Sequence, residues 1–258
     1  MGILNVTPDS FSDGGECLEP EAAVRAALRM EGEGADFIDV GAESTRPGAE
    51  GISAEEEWRR LEPVLGVLRG EVSVPLSVDT YKASVAGKAL AAGASIVNDI
   101  DGFLGDPEMA AAVAEAGAGV VLMHNSRERG IDGRDIVGAI LESWEASLEA
   151  ADRAGVARDR IVLDPGIGFG KTVEENLAIL RRFPEFRGTG YPLLLGASRK
   201  SVIGKVLGLP VGERLEGTLA TTVAGIVGGA DVIRVHEIDP NLKAARMADA
   251  IFRSDEST

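Results

Sequence analysis

The sequence PLSVDTYKASVAGKALAAGASIVND, residues 75–99, contains two short apolar runs separated by a helical pattern. The runs are PLSVD at 75–79 and SIVND at 95–99, and the helical pattern lies near 83–92. Neither run alternates cleanly between apolar and polar residues, which is typical of parallel strands that are buried on both faces. Strand, helix and strand in this order predict a right-handed parallel crossover, the repeating unit of an α/β fold.

The same alternation extends along the rest of the chain. Eight apolar runs rich in Val, Ile and Leu occur at 2–6, 37–40, 75–79, 95–99, 119–123, 161–164, 192–196 and 232–236. Helical patterns lie at 20–33, from Ser53 onward with Glu56 as a capping-box partner, at 83–92, from Asp106-Pro107 onward, and at 134–154, 173–182, 215–229 and 240–252.

Eight such units predict a closed α/β architecture, the (β/α)8 TIM barrel. No Gly/Ser/Pro-rich linker divides the chain, so we predict one domain over residues 1–253 and a frayed polar tail at 254–258. An open, doubly wound sheet is the alternative.

Composition excludes several classes of function. The 258 residues have a formal net charge of −16 and a pI near 4.6, whereas nucleic acids and anionic membranes require a basic surface. The single cysteine, Cys17, cannot form an intrachain disulfide and fits a reducing compartment. We find no signal peptide and no uninterrupted apolar run of about 18 residues, so we expect a cytoplasmic protein that binds neither nucleic acid nor membrane.

Polar residues end or follow almost every apolar run. Catalytic groups of a TIM barrel gather at the carboxyl ends of its strands, so we predict that these side chains face a common mouth. They include Asn5, Asp39, Asp79, Asn98, Asp99, His124, Asp164, Ser198, Lys200, Arg234 and His236.

Other kinds of site are disfavoured. The chain has two histidines and no cluster with metal-ligand spacing, so a zinc site is not expected. No serine lies in a nucleophile elbow, which argues against a Ser-His-Asp hydrolase. PGIGFGKT at 165–172 is close to a phosphate-binding loop, but Pro165 stands where that motif needs glycine. We interpret it as a tight glycine turn.

Several strings resemble segments of the dihydropteroate synthase family. MGILNVTPDSFSDGG (1–15) and DVGAESTRPGA (39–49) are similar to its two signature segments. Further matches occur in the family's order, at 77–82, 96–102, 163–171, 196–201 and 233–239. The resemblance covers residues 1 to about 252 and implies a TIM barrel. It also implies the condensation of 6-hydroxymethyl-7,8-dihydropterin pyrophosphate with para-aminobenzoate, with release of pyrophosphate.

The resemblance also implies residue roles at the first substrate. Asp79, Asn98 and Asp164 would hold the pterin ring, and Lys200 would donate to its carbonyl and ring nitrogen. The positive side chains of Arg46, Arg234 and His236 would bind the pyrophosphate and stabilise its departure. Asn5 would help to hold Mg²⁺ with the pyrophosphate.

The second substrate would be held largely by loop residues. Asp13 is expected to steady the developing pterin cation. Phe11, Pro47 and Phe169 would enclose the ring of para-aminobenzoate, and Ser201, near a helix N-terminus, would receive its carboxylate. Thr45 would lie beside the junction of the two substrates. Because many of these groups lie in segments 7–15 and 43–51, we predict that the pterin pyrophosphate binds first and para-aminobenzoate second. The family also implies a homodimer, for which the apolar stretch 218–229 is a candidate surface.

Two rival functions remain open at this level. A pterin-dependent methyltransferase that acts with a corrinoid protein shares the pterin-binding Asp, Asn and Asp, but it lacks the TPDSFSDGG loop and the SRKS segment. A non-catalytic pterin-binding homologue should have lost Arg46, Lys200 or His236, and all three are present.

Overall fold

The computed structural model describes most of the chain. The described residues are 1–6, 20–44, 51–126 and 135–253. The predicted tail at 254–258 lies outside them.

The chain divides into two compact units. The first consists of Met1–Leu122 with Ser147–Ile161, and the second of Met123–Ala146 with Val162–Thr258. The prediction of one domain over residues 1–253 stays a prediction.

Eight strands and nine α-helices alternate in the described part of the chain. The strands are β1 (Gly2–Asn5), β2 (Ile38–Gly41), β3 (Leu76–Asp79), β4 (Ile96–Asp99), β5 (Gly119–Met123), β6 (Ile161–Asp164), β7 (Leu194–Leu195) and β8 (Val232–Ile233). The helices are α1 (Pro20–Gly32), α2 (Ala54–Glu71), α3 (Ala83–Ala91), α4 (Met109–Ala116), α5 (Ile136–Ala154), α6 (Val173–Arg181), α7 (Ser201–Leu207), α8 (Leu215–Gly228) and α9 (Ile238–Phe252).

The first unit is built on parallel strands paired in chain order. β1 pairs with β2, β2 with β3, β3 with β4 and β4 with β5. A doubly wound sheet would reverse its strand order at a switch point. Sequential pairing therefore argues against the open-sheet alternative. These strands coincide with the apolar runs of the sequence, because strand residues such as Val40 and Val78 are fully buried.

Helices of the first unit bury small and branched side chains. α1 packs on α2, α2 on α3, and α3 on α4. At the start of α2 the Ser53 hydroxyl accepts a hydrogen bond from the Glu56 N–H at 3.2 Å. The Glu56 carboxylate pairs with Arg59 and Arg60, so the capping interaction predicted from sequence is seen here in its Ser53 half.

The second unit contains β7 and β8, which pair in parallel, and Leu163 of β6 bridges to Leu193 before β7. Its core includes three aromatic rings in edge-to-face contact. The Trp144 and Phe186 centroids are 5.0 Å apart, and those of Phe183 and Phe186 are 5.7 Å apart.

Most predicted element positions are confirmed to within one or two residues. One difference is the start of α4, which begins at Met109 rather than at Asp106-Pro107. The Asp106 carboxylate accepts from the N–H groups of Ala83 and Glu108, so it holds the turn before the helix. Helix α7 has no counterpart among the predicted helical patterns, because its seven residues are too few to show a clear period. No described helix is long and apolar enough to cross a membrane.

Candidate active site

The first unit aligns three predicted site residues across neighbouring strand ends. In the parallel register Asn5 of β1 lies opposite Gly41, Gly41 opposite Asp79, and Asp79 opposite Asn98. A side chain at Gly41 would press on Asp79, since a Cβ built there lies 3.3 Å from the Asp79 Cβ. A glycine at position 41 therefore leaves room for the Asp79 side chain on the neighbouring strand.

Asn98 is oriented by the carboxylate of Asp39, for which the sequence predicted no specific role. Its Nδ2 donates to Oδ2 of Asp39 at 3.0 Å, and both residues are buried. A carboxylate can only accept, so the amide nitrogen must face Asp39. The Oδ1 atom and the second N–H of Asn98 are then directed away from Asp39, which suits a ring edge that both donates and accepts.

Asp164 is the buried acid of the second unit. Burial raises the pKa of its carboxyl, while the charge of Lys200, the N–H of Gly166 and the charge of Arg234 work in the opposite direction. The Gly166 N–H donates to Oδ1 at 2.8 Å. The structure thus brings together a carboxylate and two cations that the sequence assigned to one site.

Lys200 and Phe169 are held against each other. The Lys200 ammonium lies 4.6 Å from the centroid of the Phe169 ring and donates to the carbonyl of Ile167 at 2.5 Å. Phe169 is buried. A cation over an aromatic face adds attraction beyond the hydrogen bond. Lys200 is therefore fixed at the start of α7, beside the turn that leaves β6.

That turn is a glycine turn, as the sequence indicated. Gly166 has a φ of +70°, and a Cβ built on it would lie 2.1 Å from the His124 carbonyl oxygen, so no larger residue fits. Lys171 does not extend toward a ligand as a phosphate-loop lysine would. Its ammonium donates to the carbonyls of His124, Gly166 and Phe169 at 3.1, 2.8 and 3.2 Å.

Arg234 and His236 follow β8 on either side of a buried residue. Val235 is 4% exposed, whereas Arg234 and His236 are half-buried. A Cβ built on Gly196 would lie 3.8 Å from both Asp164 Oδ2 and Arg234 Cβ, so this glycine keeps the space between them open. His236 Nδ1 lies 3.0 Å from the hydroxyl oxygen of Ser198.

Ser201 is the first residue of α7 and is exposed. This position agrees with its predicted place near a helix start. The remaining predicted site residues lie outside the described part of the chain. They are Phe11, Asp13, Thr45, Arg46 and Pro47.

A charged cluster in the first unit was not predicted from the sequence. The Lys82 ammonium donates to Glu43 and, at 2.6 Å, to Glu57. The Tyr81 hydroxyl donates to Glu43 at 2.7 Å, and its ring lies 4.4 Å from the Lys82 nitrogen. These residues link the loop after β2 to the loop after β3 and to α2.

Asp39, Glu57 and Ser198 had no specific role predicted from the sequence, although each has a weak local signal. Asp39 is an acid within an apolar run, Glu57 an acid on the buried face of α2, and Ser198 a serine beside the conspicuous Arg199-Lys200 pair. An acid on a buried face requires a partner. The sequence therefore shows that such an acid needs a partner, but it does not identify which residue the partner is.

Comparison with known proteins identifies the family of the chain. The family described as pterin binding enzyme matches residues 1–236. The dihydropteroate synthase of Bacillus subtilis is 51% identical over 252 residues, which are 98% of this chain and 88% of that protein. The dihydropteroate synthase of Clostridium difficile, solved in the presence of pteroic acid, superposes with a TM-score of 0.94 at 50% identity, over 98% of this chain and 96% of that one. The Xanthomonas albilineans dihydropteroate synthase with 4-aminobenzoic acid gives a TM-score of 0.91 at 40% identity, over 98% and 92%.

The chain belongs to the family of pterin-binding enzymes. Its full-length relatives in that family include dihydropteroate synthases. The predicted fold class, the (β/α)8 TIM barrel, is confirmed by the structural matches. The prediction that Asp79 and Asp164 face one mouth stays a prediction.

Proposed function

We propose that the chain condenses 6-hydroxymethyl-7,8-dihydropterin pyrophosphate with para-aminobenzoate to give 7,8-dihydropteroate and pyrophosphate. It is a transferase of folate biosynthesis. The C–O bond from the pterin methylene to pyrophosphate breaks, a C–N bond to the arylamine forms, and the amine nitrogen loses a proton. Full-length relatives named for this activity support the proposal.

The single observation that carries the proposal is the arrangement around Asp164. A buried carboxylate near the charges of Lys200 and Arg234 is suited to a flat heterocycle with donors on one edge and acceptors on another. In our proposal Asp164 accepts from the ring N–H and amino groups, and Lys200 donates to the carbonyl and ring nitrogen. Asp79 and the oriented amide of Asn98 have the same kind of role.

The departing pyrophosphate needs positive charge and donors. We assign Arg234 and His236 to it, together with Arg46. Arg234 directly follows β8, and the next residue, Val235, is buried in the core, which holds the backbone at this point. A pre-placed charge such as that of Arg234, and a pre-placed donor such as the imidazole of His236, stabilise the charge that develops as the bond breaks, without reorganising at that moment.

Mg²⁺ is the proposed cofactor, and Asn5 is its proposed protein ligand. The amide of Asn5 is a hard oxygen donor at the end of β1, which fits this ion. Within the described ranges no group of three or more His, Cys, Asp or Glu could hold a metal. An ion at Asn5 would therefore take most of its ligands from phosphate and water. When bound, it would neutralise charge on the leaving group.

The second substrate is proposed to meet Phe169 and Ser201. Phe169 offers an aromatic surface beside Lys200, and Ser201 offers a hydroxyl and N–H at the start of α7. On the family resemblance alone, we assign Phe11 and Pro47 to the same ring, Thr45 to the junction of the two substrates, and Asp13 to the developing cation.

Assembly as a homodimer is also a proposal. Within the second unit α8 packs on α9, and Thr218, Thr222 and Ile226 of α8 are buried. Those positions are therefore occupied within the unit. Large apolar side chains that remain exposed there are Val206, Leu207, Val211, Val227, Met247, Ile251 and Phe252. A cytoplasmic location stays a prediction that rests on the lone Cys17.

The function is tested by following pyrophosphate release from the pterin substrate with and without para-aminobenzoate. We expect release to depend on both substrates and to match the dihydropteroate formed. Asp164→Asn is the matched variant, since its remaining side-chain oxygen can still accept from Gly166 while the carboxylate is lost. Pyrophosphate release that is indifferent to the arylamine would show that the chain does not catalyse this condensation.

A further inference from the structure

The hydroxyl of Ser198 makes two contacts with His236. Its oxygen accepts the backbone N–H of His236 at 3.3 Å and lies 3.0 Å from Nδ1 of the same residue. Ser198 is 5% exposed. A serine that holds both the backbone and the ring of one histidine fixes that histidine more firmly than either contact alone.

The direction of the ring contact follows from the count of donors and acceptors. A hydroxyl has one hydrogen and two lone pairs, and one lone pair already accepts from the His236 N–H. A buried hydroxyl hydrogen needs an acceptor. Among the residues that the structure describes, the group other than the His236 N–H within hydrogen-bond distance of this hydroxyl is Nδ1 of His236, which accepts in one of the two tautomers of the ring. The hydroxyl therefore donates to Nδ1.

This direction selects one tautomer. A neutral imidazole has one protonated nitrogen, and the other nitrogen is an acceptor. With Nδ1 accepting from Ser198, the ring proton lies on Nε2. His236 is two residues after Arg234, and the residue between them, Val235, is buried. Arg234 is the cation whose charge acts on Asp164.

The backbone around Ser198 is held in a costly conformation. Arg199 has a φ of +56°, which is unfavourable for a residue with a side chain. Its N–H donates to the Thr218 hydroxyl at 3.1 Å, and its carbonyl accepts from Arg214 at 2.9 Å. The Arg199 side chain pairs with Glu237, the residue after His236. These contacts keep Ser198 and His236 in a fixed relation.

We propose that Ser198 is a positioning residue for His236, whose Nε2–H then donates to the oxygens of the pyrophosphate. Because the Ser198 hydroxyl donates to Nδ1, the proton of the neutral His236 imidazole stays on Nε2, the nitrogen remote from Ser198. The assignment rests on the proposed function, because the anion is the leaving group of that reaction. Its tautomer, however, is a property of the unliganded protein and can be measured without turnover.

The first test is nitrogen NMR of the protein labelled with ¹⁵N-histidine. The chain has two histidines, and His236→Asn identifies the signals of His236 by their loss. At a pH of about 8, where histidine is ordinarily neutral, we expect His236 to show the pattern of a protonated Nε2. A protonated Nδ1 in the wild-type protein would overturn the proposal, whatever the enzyme assay gives.

The second test uses Ser198→Ala, with Ser147→Ala as a control. Ser147 is 1% exposed and lies on α5, so its variant also removes a buried hydroxyl. We expect Ser198→Ala to yield a mixture of tautomers and to bind inorganic pyrophosphate about tenfold more weakly, the value of one lost hydrogen bond. The control should retain both properties. Equal pyrophosphate affinity in Ser198→Ala and wild type would also overturn the proposal.

A kinetic comparison separates positioning from a general loss of structure. Ser198→Ala should lower kcat about tenfold while leaving the KM for para-aminobenzoate unchanged, because the contacts proposed for the arylamine do not include His236. Ser198→Thr, which keeps a hydroxyl, should restore the Nε2–H tautomer. If wild-type protein shows this tautomer but no condensation, the proposed function fails and the tautomer assignment stands.

Discussion

The carboxyl of Asp164 illustrates how one side chain combines binding with local structure. Burial raises its pKa, and the charges of Lys200 and Arg234 oppose that rise. Its Oδ1 also accepts from Gly166 and so holds the glycine turn. A variant at this position therefore changes both the ligand contact and the turn, and the two effects need separate variants.

We expect Asp164→Ala to weaken pterin binding by about 1–3 kcal/mol or more, because pterin donors would be left unpaired in a buried site. Asp164→Asn should weaken it similarly while keeping an acceptor for Gly166. Calorimetric titration of a pterin analogue measures both. Unchanged affinity in a folded Asp164→Ala protein would contradict the assignment of Asp164 to the pterin.

Asp99 should make the folded protein sensitive to pH. Burial raises the pKa of this carboxyl to about 7, against the N–H donations of Phe103 and Asp101. The unfolded chain would ionise Asp99 near pH 4. Between these values the folded state holds a proton that the unfolded state has lost, so the free energy of unfolding contributed by Asp99 falls as pH rises to about 7 and stays low above it.

The pH effect is measured by urea unfolding of wild type and Asp99→Asn between about pH 4 and 8. The wild type should lose up to about 1.4 kcal/mol per pH unit relative to the variant within the window below pH 7. Asp159→Asn, at an exposed position, is the control and should follow the wild type. Parallel curves for wild type and Asp99→Asn would contradict the raised pKa.

At the scale of elements, the loops after the strands are connected by polar contacts rather than by apolar packing. Lys82 joins the loop after β3 to Glu43 after β2 and to Glu57 of α2. Lys171 donates to the carbonyls of Gly166 and Phe169 in the loop after β6 and to the carbonyl of His124, which follows β5. The ammonium groups of both lysines are held by contacts within the protein, although the sequence alone would allow either of them to bind a ligand.

Lys82→Met should lower the free energy of unfolding by about 3–5 kcal/mol, since it leaves the buried Glu57 without its cation. Denaturant unfolding measures the loss. Lys88→Met is the control, because Lys88 is exposed and lies 5.9 Å from the Trp58 ring centroid. Adding Glu57→Leu to Lys82→Met should recover part of the loss. Wild-type stability in Lys82→Met would mean that the cluster is not a stabilising unit.

At the scale of the whole molecule, the exposed apolar side chains of α7, α8 and α9 bear on assembly. Met247 and Phe252 of α9 are 61% and 56% exposed. If the proposed dimer forms through these helices, Met247→Asp combined with Phe252→Asp should give a monomer by light scattering at micromolar concentration. Val67→Asp, at an exposed position of α2, should leave the dimer intact. A wild-type protein that is monomeric under these conditions contradicts the dimer.

The sequence by itself determined the order and limits of most elements. Apolar runs such as 75–79 and 95–99 predicted β3 and β4 because strand burial leaves a local pattern. It also identified Asp79, Asn98 and Asp164 at strand ends, and the long signature strings identified the family. All of these signals are contained in short segments, so they can be read without knowing which segments meet.

Only the tertiary structure decided which side chain serves which partner. Asp39 and Asn98 are 59 residues apart, and Ser198 and His236 are 38 apart, so strand register creates contacts that no local pattern contains. The tertiary structure also fixed the orientation of the Asn98 amide and determined which ring nitrogen of His236 faces Ser198. Burial then raised the pKa of Asp99 and of Asp164, since the cost of a charge depends on everything packed around it.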